Sequence, residues 1–196
     1  SAAAFATKHE DAFYFSKRVT RAVPDGGPIE AHTDLVKKLD YECELAVVLG
    51  RDARDVPAGQ TRDYIFGYTI LNDVSARDVQ TAHKQWYFGK SLDGFTPIGP
   101  CIVTADAFAD YPPRLGIRSF VNGEKRQDSN TALQIFDIDH VIAELSQGMT
   151  LKAGTIIATG TPAGVGMGMD PPQFLKPGDV VRCEIDGIGT LTNPVK

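Results

Sequence analysis

The run YECELAVVL carries two acids at strand spacing: a side-chain period of two puts Glu42 and Glu44 on one face and turns Cys43 to the other. Carboxylates side by side repel each other, so the pair calls for open solvent or for a cation between them. Alone, E-x-E reads as a solvated sheet face. A third acid changes the balance. The apolar run YIFGYTIL ends in Asn72-Asp73, and an acid at the end of a buried strand stands where side chains reach a cleft. The competing assignment for Asp73 is a cap for the helix expected after it. If they converge, Glu42, Glu44 and Asp73 offer an oxygen-only site suited to Mg2+, Mn2+ or, less well, Ca2+, and poorly suited to zinc.

An anionic substrate beside such an ion needs partners that balance its charge and fix its orientation. Arg77, Gln80, Lys17 in FYFSKR and Lys90 in FGKSLDGF are the candidates. Lys90 stands out because Phe88, Gly89 and Phe95 surround it, a setting in which a solvated lysine is not expected. Downstream, ATGTPAGVGMG follows the strand-like TIIATG, so Gly160 and Thr161 can present an amide and a hydroxyl to an acid group. The stretch lacks the Gly-Lys-Ser/Thr of a P-loop and the flanking units of a dinucleotide fingerprint. His140 reads as structural and His32 as a loop residue. His9 is followed directly by Glu10, and adjacent residues rarely face one another, which argues against a general base with its orienting acid.

These groups need a scaffold, and glycine and proline punctuate the chain between short β-branched runs, the pattern of a β-rich α+β domain. Strands are expected over Tyr41–Leu49, Tyr64–Asp73, Pro100–Thr104, Gly116–Val121, Gly154–Thr159 and Val180–Ile185. Asn122-Gly123 and Asp186-Gly187 both suit type I′ hairpin turns. Asp137 can cap a helix over IDHVIAELSQ that ends at Gly148, and a second helix is expected from Ser75 through ARDVQTAHKQW. TLKAGTIIATG and FLKPGDVVRCE share turn chemistry, and one short match does not make a repeat.

At 196 residues the chain fits one core. Its net charge of −5 argues against a nucleic-acid partner. No apolar stretch is long enough to span a membrane and the start SAAAFATKHE does not read as a signal peptide, so a cytoplasmic protein is expected. Three widely spaced cysteines, Cys43, Cys101 and Cys183, fit neither a disulfide framework nor a zinc site and are expected as buried thiols.

In this order, LDYECELAVVLG, GYTILNDVSARDVQ, FGKSLDGFTPIGP and IIATGTPAGVG resemble the fumarylacetoacetate hydrolase family, with a match from about Phe13 to Val195. The resemblance implies a mixed β-roll or β-sandwich-barrel of the C-terminal type in that family, a homodimer, and Mg2+ or Mn2+ on Glu42, Glu44 and Asp73. It further implies that Lys90 lies near the metal, that Lys17 and Gln80 lie in the pocket, and that Thr161 and the glycines after it contact the substrate's acid end. Residues 13–196 are then the catalytic domain, with 1–12 a remnant preceding it. Family members usually carry an upstream N-Y-x-x-H-x-x-E motif whose His and Glu form a catalytic dyad. This chain has none, so either the lid lies outside it, which the abrupt start favours, or the member works without the dyad.

The activity expected first is hydrolysis of a carbon–carbon bond in a 2,4-dioxo acid such as an acylpyruvate or fumarylpyruvate, with the departing carbanion formed as a metal-bound enolate. Decarboxylation and tautomerisation or isomerisation of a related 2-oxo acid pass through the same species. A non-catalytic binding protein on the same scaffold is the reading from another class, and a carbohydrate-binding module with structural Ca2+ ranks last because the lone Trp86 falls in an expected helix.

Overall fold

A computed structural model describes residues 11–196. His9, Glu10 and the rest of 1–10 lie outside the described residues. The chain forms β1 (Leu39–Asp40), β2 (Cys43–Leu49), β3 (Ile65–Asn72), β4 (Ser75–Ala76), α1 (Arg77–Ala82), α2 (Tyr87–Lys90), β5 (Ile98–Thr104), β6 (Gly116–Val121), β7 (Glu124–Asn130), α3 (Ile138–Leu145), β8 (Ile156–Ala158), β9 (Val180–Ile185) and β10 (Gly189–Pro194). It is the β-rich α+β fold expected, with few helices.

One sheet runs β5-β3-β2-β8 and a second β10-β9-β6-β7, while β1 and β4 make a small ribbon. Every ladder between named strands is antiparallel. Parallel pairing occurs as isolated bridges, Val23 with Pro97 and Ile29 with Val195. The sheets face each other, β2 and β3 packing on β6 and β9, and β10 on β5 and β3. Between them lie Cys43, Leu45, Val47, Tyr68 and Ile70 from one side and Ile117, Val121, Val181, Cys183, Ile185 and Leu191 from the other. All seven residues of β2 are buried. Each aliphatic side chain on its inner face contributes about 1.5–3 kcal/mol on burial. A one-residue slip against β3 would put Glu44, Ala46 and Val48 in their place and a carboxylate between the sheets, so this burial fixes the register.

The six expected strands all form: three with ends trimmed by one or two residues, two with the expected bounds, and Pro100–Thr104 extended to begin at Ile98. Two that escape the sequence reading, β7 (EKRQDSN) and β10 (GTLTNP), are the return strands of hairpins, and neither shows an apolar alternation. Asn122 and Gly123 both adopt positive φ (51° and 83°), as a type I′ turn requires. At the other hairpin only Gly187 of the expected pair does so (φ 78°), and three residues, 186–188, join β9 to β10. The shared Lys-x-Gly turns are real: Thr155 N donates to Lys152 O and Asp179 N to Lys176 O.

Asp137 caps α3 by accepting from His140 N at 2.8 Å. The other expected helix is two short ones. Ser75-Ala76 pair with β1, and after α1 the chain turns through Lys84 at φ 59°, a conformation that few side chains tolerate and that ends a helix. Trp86 falls in that break. Gly89 lets α2 lie against α1, since a Cβ there would meet Gln80 N at 2.7 Å and Ala76 O at 2.9 Å. Of the cysteines, Cys43 and Cys183 are buried as expected, whereas Cys101 is exposed, in a strand, β5, with little cover. His32 Nε2 donates to Asp93 O, 2.8 Å away, and His140 stacks on Phe136.

Candidate metal centre

Antiparallel pairing brings the three acids together. Cys43 stands opposite Asn72 and Glu44 opposite Leu71, and the same register continues one step on, where Asp73 N donates to Glu42 O at 2.8 Å. Residues opposite each other share a face. Glu42, Glu44 and Asp73 therefore project from one side of the β2–β3 ladder, with Cys43 and Asn72 on the other. Ligand oxygens from all three lie within 4.8 Å of one another. The side chains are buried, Asp73 to 2% exposure and Glu44 to 4%. Asp73 is not a cap: the residue before α1 is Ala76.

Three cations close around them. Lys90, delivered by the close approach of α2, donates to Glu42 Oε2 at 2.7 Å and to Asp73 Oδ2 at 2.6 Å. Lys17 donates to Asp73 Oδ1 at 2.6 Å and Phe95 O at 2.7 Å. Arg77 Nη1 stands 2.6 Å from Glu42 Oε1, and its Nε donates to Asp40 Oδ2 at 2.9 Å. Phe15, braced edge-on against Trp86, places its ring 5.3 Å from Lys90 Nζ.

The electrostatics separate the acids. For Asp73, burial pushes the carboxyl up, but Lys17 and Lys90 together outweigh it and hold it below the usual range. Glu44 goes the other way: burial, then the neighbouring charges of Asp73 and Glu42, raise it well above the usual range, with Lys90 and the Gly160 amide offsetting only part. Burial lowers Lys90, yet Glu42 and Asp73 more than compensate and keep it a firm cation. For Lys17 burial prevails over Asp73 and the net direction is down. Arg77 is likewise held charged, Glu42 and Asp40 overcoming its burial.

Formally four carboxylates, Asp40, Glu42, Glu44 and Asp73, face three cations, Lys17, Lys90 and Arg77, which leaves one negative charge in excess in a buried cluster. Glu44 makes no ion pair among the described residues and is the acid driven toward its neutral form. A buried excess charge is costly, and a divalent cation removes it. Oxygens on one Mg2+ at about 2.1 Å stand no more than about 4.2 Å apart, so modest side-chain shifts close the set. The donors fit a hard divalent ion; Ca2+, which takes about six to eight oxygens, is less well served by three carboxylates.

The expected site residues do gather here, in two layers. Lys17, Lys90 and Arg77 touch the acids directly. Gln80 lies one step behind, its Oε1 accepting from Arg77 Nη1 at 3.3 Å. Gly160 and Thr161 brace the ligand strand: Gly160 N donates to Glu44 Oε2 at 2.8 Å, and the Thr161 hydroxyl donates to Cys43 O at 2.9 Å. Two participants escape the sequence reading. Asp40 precedes Glu42 by two residues, and D-x-E-x-E would have flagged it by the same period of two. Gln127 is fully buried in β7, accepting from Cys43 N and donating to Thr161 Oγ1 and Pro162 O. Nothing in EKRQDSN marks it.

Residues 2–196 match the family described as fumarylacetoacetate (FAA) hydrolase C-terminal. Oxaloacetate tautomerase YisK of Bacillus subtilis is 45% identical over 186 residues, 95% of this chain and 62% of that protein. The structure of a fumarylacetoacetate hydrolase from psychrophilic Exiguobacterium antarcticum is 48% identical, with a TM-score of 0.93 over 97% of this chain and 68% of that one. That of a 5-carboxymethyl-2-hydroxymuconate delta-isomerase from Mycobacterium smegmatis is 42% identical, with a TM-score of 0.84 over 95% and 70%. The chain spans about 60% of the length of the curated relatives it matches. With nearly its whole length matched, and the same fold at such identities, this chain belongs to the fumarylacetoacetate hydrolase family.

Proposed function

We propose that the chain carries the metal site of a tautomerase or isomerase acting on a small anionic 2-oxo acid, with Mg2+ or Mn2+ on Glu42, Glu44 and Asp73. The observation that carries this is the charge of the buried cluster. One divalent ion turns its single excess negative charge into a single positive one, and one substrate carboxylate then neutralises it. When bound, the ion supplies Lewis-acid charge next to the substrate's oxo group.

The chain's own residues do the rest. Keto–enol interconversion moves a proton from the carbon next to the oxo group while the C–H electron pair becomes a C=C bond and the oxo oxygen takes up a proton. Lys90, kept protonated between Glu42 and Asp73, donates from Nζ toward that oxygen, where negative charge grows. Lys17 and Arg77 hold Asp73 and Glu42 in place. Phe15, held edge-on against Trp86, sets an apolar ring beside Lys90 Nζ. Tautomerisation leads over carbon–carbon hydrolysis because relatives at 42–45% identity carry tautomerase and isomerase names. Hydrolysis stays as the second reading because the Exiguobacterium structure that carries the hydrolase name is 48% identical.

The test is product analysis with Mn2+. Enol oxaloacetate should lose its enol absorbance faster than in buffer with Mn2+ alone, and chelator should abolish the effect. Pyruvate and a carboxylic acid released from an acylpyruvate would select hydrolysis instead, and CO2 would select decarboxylation. No turnover of any of these substrates refutes the reading.

A further inference from the structure

Asp40 is fully buried at the junction of three segments. Its Oδ2 accepts from Arg77 Nε at 2.9 Å and from Met167 N at 3.0 Å. Its Oδ1 accepts from Gly166 N at 2.7 Å and Tyr41 N at 2.9 Å. Arg77 is thereby shared between two carboxylates, Asp40 on one side and the metal ligand Glu42 on the other.

The loop from Gly160 to Met167 is fastened at both ends to this system. Its first amide, Gly160 N, holds Glu44, and its last two, Gly166 and Met167, hold Asp40. Midway, the Tyr41 hydroxyl donates to Gly164 O at 2.8 Å. The far anchor admits no side chain: a Cβ at Gly166 would stand 2.0 Å from Gln173 O and 2.8 Å from Asp40 Oδ1.

A neutral amide offers one acceptor oxygen where Asp40 uses two, Oδ1 for Gly166 N and Oδ2 for Met167 N, so it keeps only one of the two loop amides. The carboxylate also has a charge-based claim on Arg77. A cation on Glu42 takes up part of that acid's charge, so the guanidinium leans toward Asp40 and tightens the contact that carries the loop. We infer that Asp40 is a positioning residue that couples cation loading at Glu42, through Arg77, to ordering of the Gly160–Met167 loop. The inference rests on the metal reading above. By linkage the coupling is reciprocal: whatever orders the loop also tightens the cation.

Calorimetric titration with Mn2+ of the parent chain and of Asp40→Asn tests it, with amide hydrogen exchange of both followed with and without Mn2+. In the parent, loading should slow exchange at Gly166 and Met167 roughly five-fold or more. In Asp40→Asn, Arg77 turns wholly to Glu42 and competes with the ion, so Mn2+ affinity should fall about 10–100-fold, the size of effect seen when groups behind a metal ligand are changed. The Mn2+-dependent part of the protection should vanish. Unchanged Mn2+ affinity in Asp40→Asn, with only a lower thermal midpoint and faster loop exchange, would reduce Asp40 to a structural anchor and overturn the inference. So would a parent that binds Mn2+ without any change in loop exchange, a measurement that needs no variant to fold. A parent that binds no Mn2+ overturns the metal reading itself, and the coupling with it.

Discussion

Glu44 is the acid that the surrounding cations leave uncompensated, and its neighbours make the consequence measurable. A carboxyl whose folded pKa lies above its unfolded value, roughly 4.3 for Glu, binds more protons in the folded state between those two pH values. Folded stability therefore declines as pH climbs through that window. A cation on the ionised carboxylate reverses the penalty, so the rise in thermal midpoint caused by Mn2+ should be larger at pH 8 than at pH 5. An increment independent of pH would remove Glu44 from the ligand set. Asp73 is compensated twice over, by Lys17 and Lys90. Asp73→Ala should weaken Mn2+ binding by more than about 100-fold, beyond what loss of a supporting group costs; calorimetry that shows parent-like affinity would move the site elsewhere.

Gln127 shows what holds the ligand strand at the level of elements. It ties β7 to the backbone of β2 at Cys43, between Glu42 and Glu44, and to the loop at Thr161 and Pro162. Gln127→Leu keeps the volume but strands a buried amide and two acceptors. It should lower the unfolding free energy by about 2–4 kcal/mol in urea titrations, on the scale of buried polar groups left unpaired. An effect below about 0.5 kcal/mol would mean that the strand finds other partners. The same residue marks the limit of legibility. Glu42, Glu44 and Asp73 were readable because strand period and the end of an apolar run are local signals. Lys90 was readable because its neighbours are aromatic and glycine. Gln127 sits in a polar strand that earns its place only by pairing with β6, and that pairing is invisible along the chain. The single helix expected after Ser75 failed for the same reason: Ser75 and Ala76 pair with β1, some 36 residues earlier, and Lys84 breaks what remains. Asp40 was within reach, two residues before Glu42, but its role depends on Arg77 and the Gly166 amide, both brought in by the fold.

For the whole molecule, the proposed cation at the β2–β3 ladder would bind the folded chain and not the unfolded one. Saturation at about 100 times the dissociation constant adds about 2.7 kcal/mol. In a domain of this size that raises the thermal midpoint by about 5–10 °C, and calorimetric scans with Mn2+ and with chelator should differ by that margin. No difference would mean that the acids hold no ion. The described residues include no helix long and apolar enough to cross a membrane.

Cys43 sits between Glu42 and Glu44 and faces away from both, meeting Cys183 in the space between the sheets, where burial pushes its thiol well above the ordinary range. Sulfur is the donor that would draw zinc or another soft ion, and here it is both turned aside and kept protonated. The pleat of one strand thus sorts donors by hardness, oxygen toward the cleft and sulfur toward the core. Shifting β2 by a single residue would invert that order, so the apolar packing that sets the register also chooses which metals the protein can use.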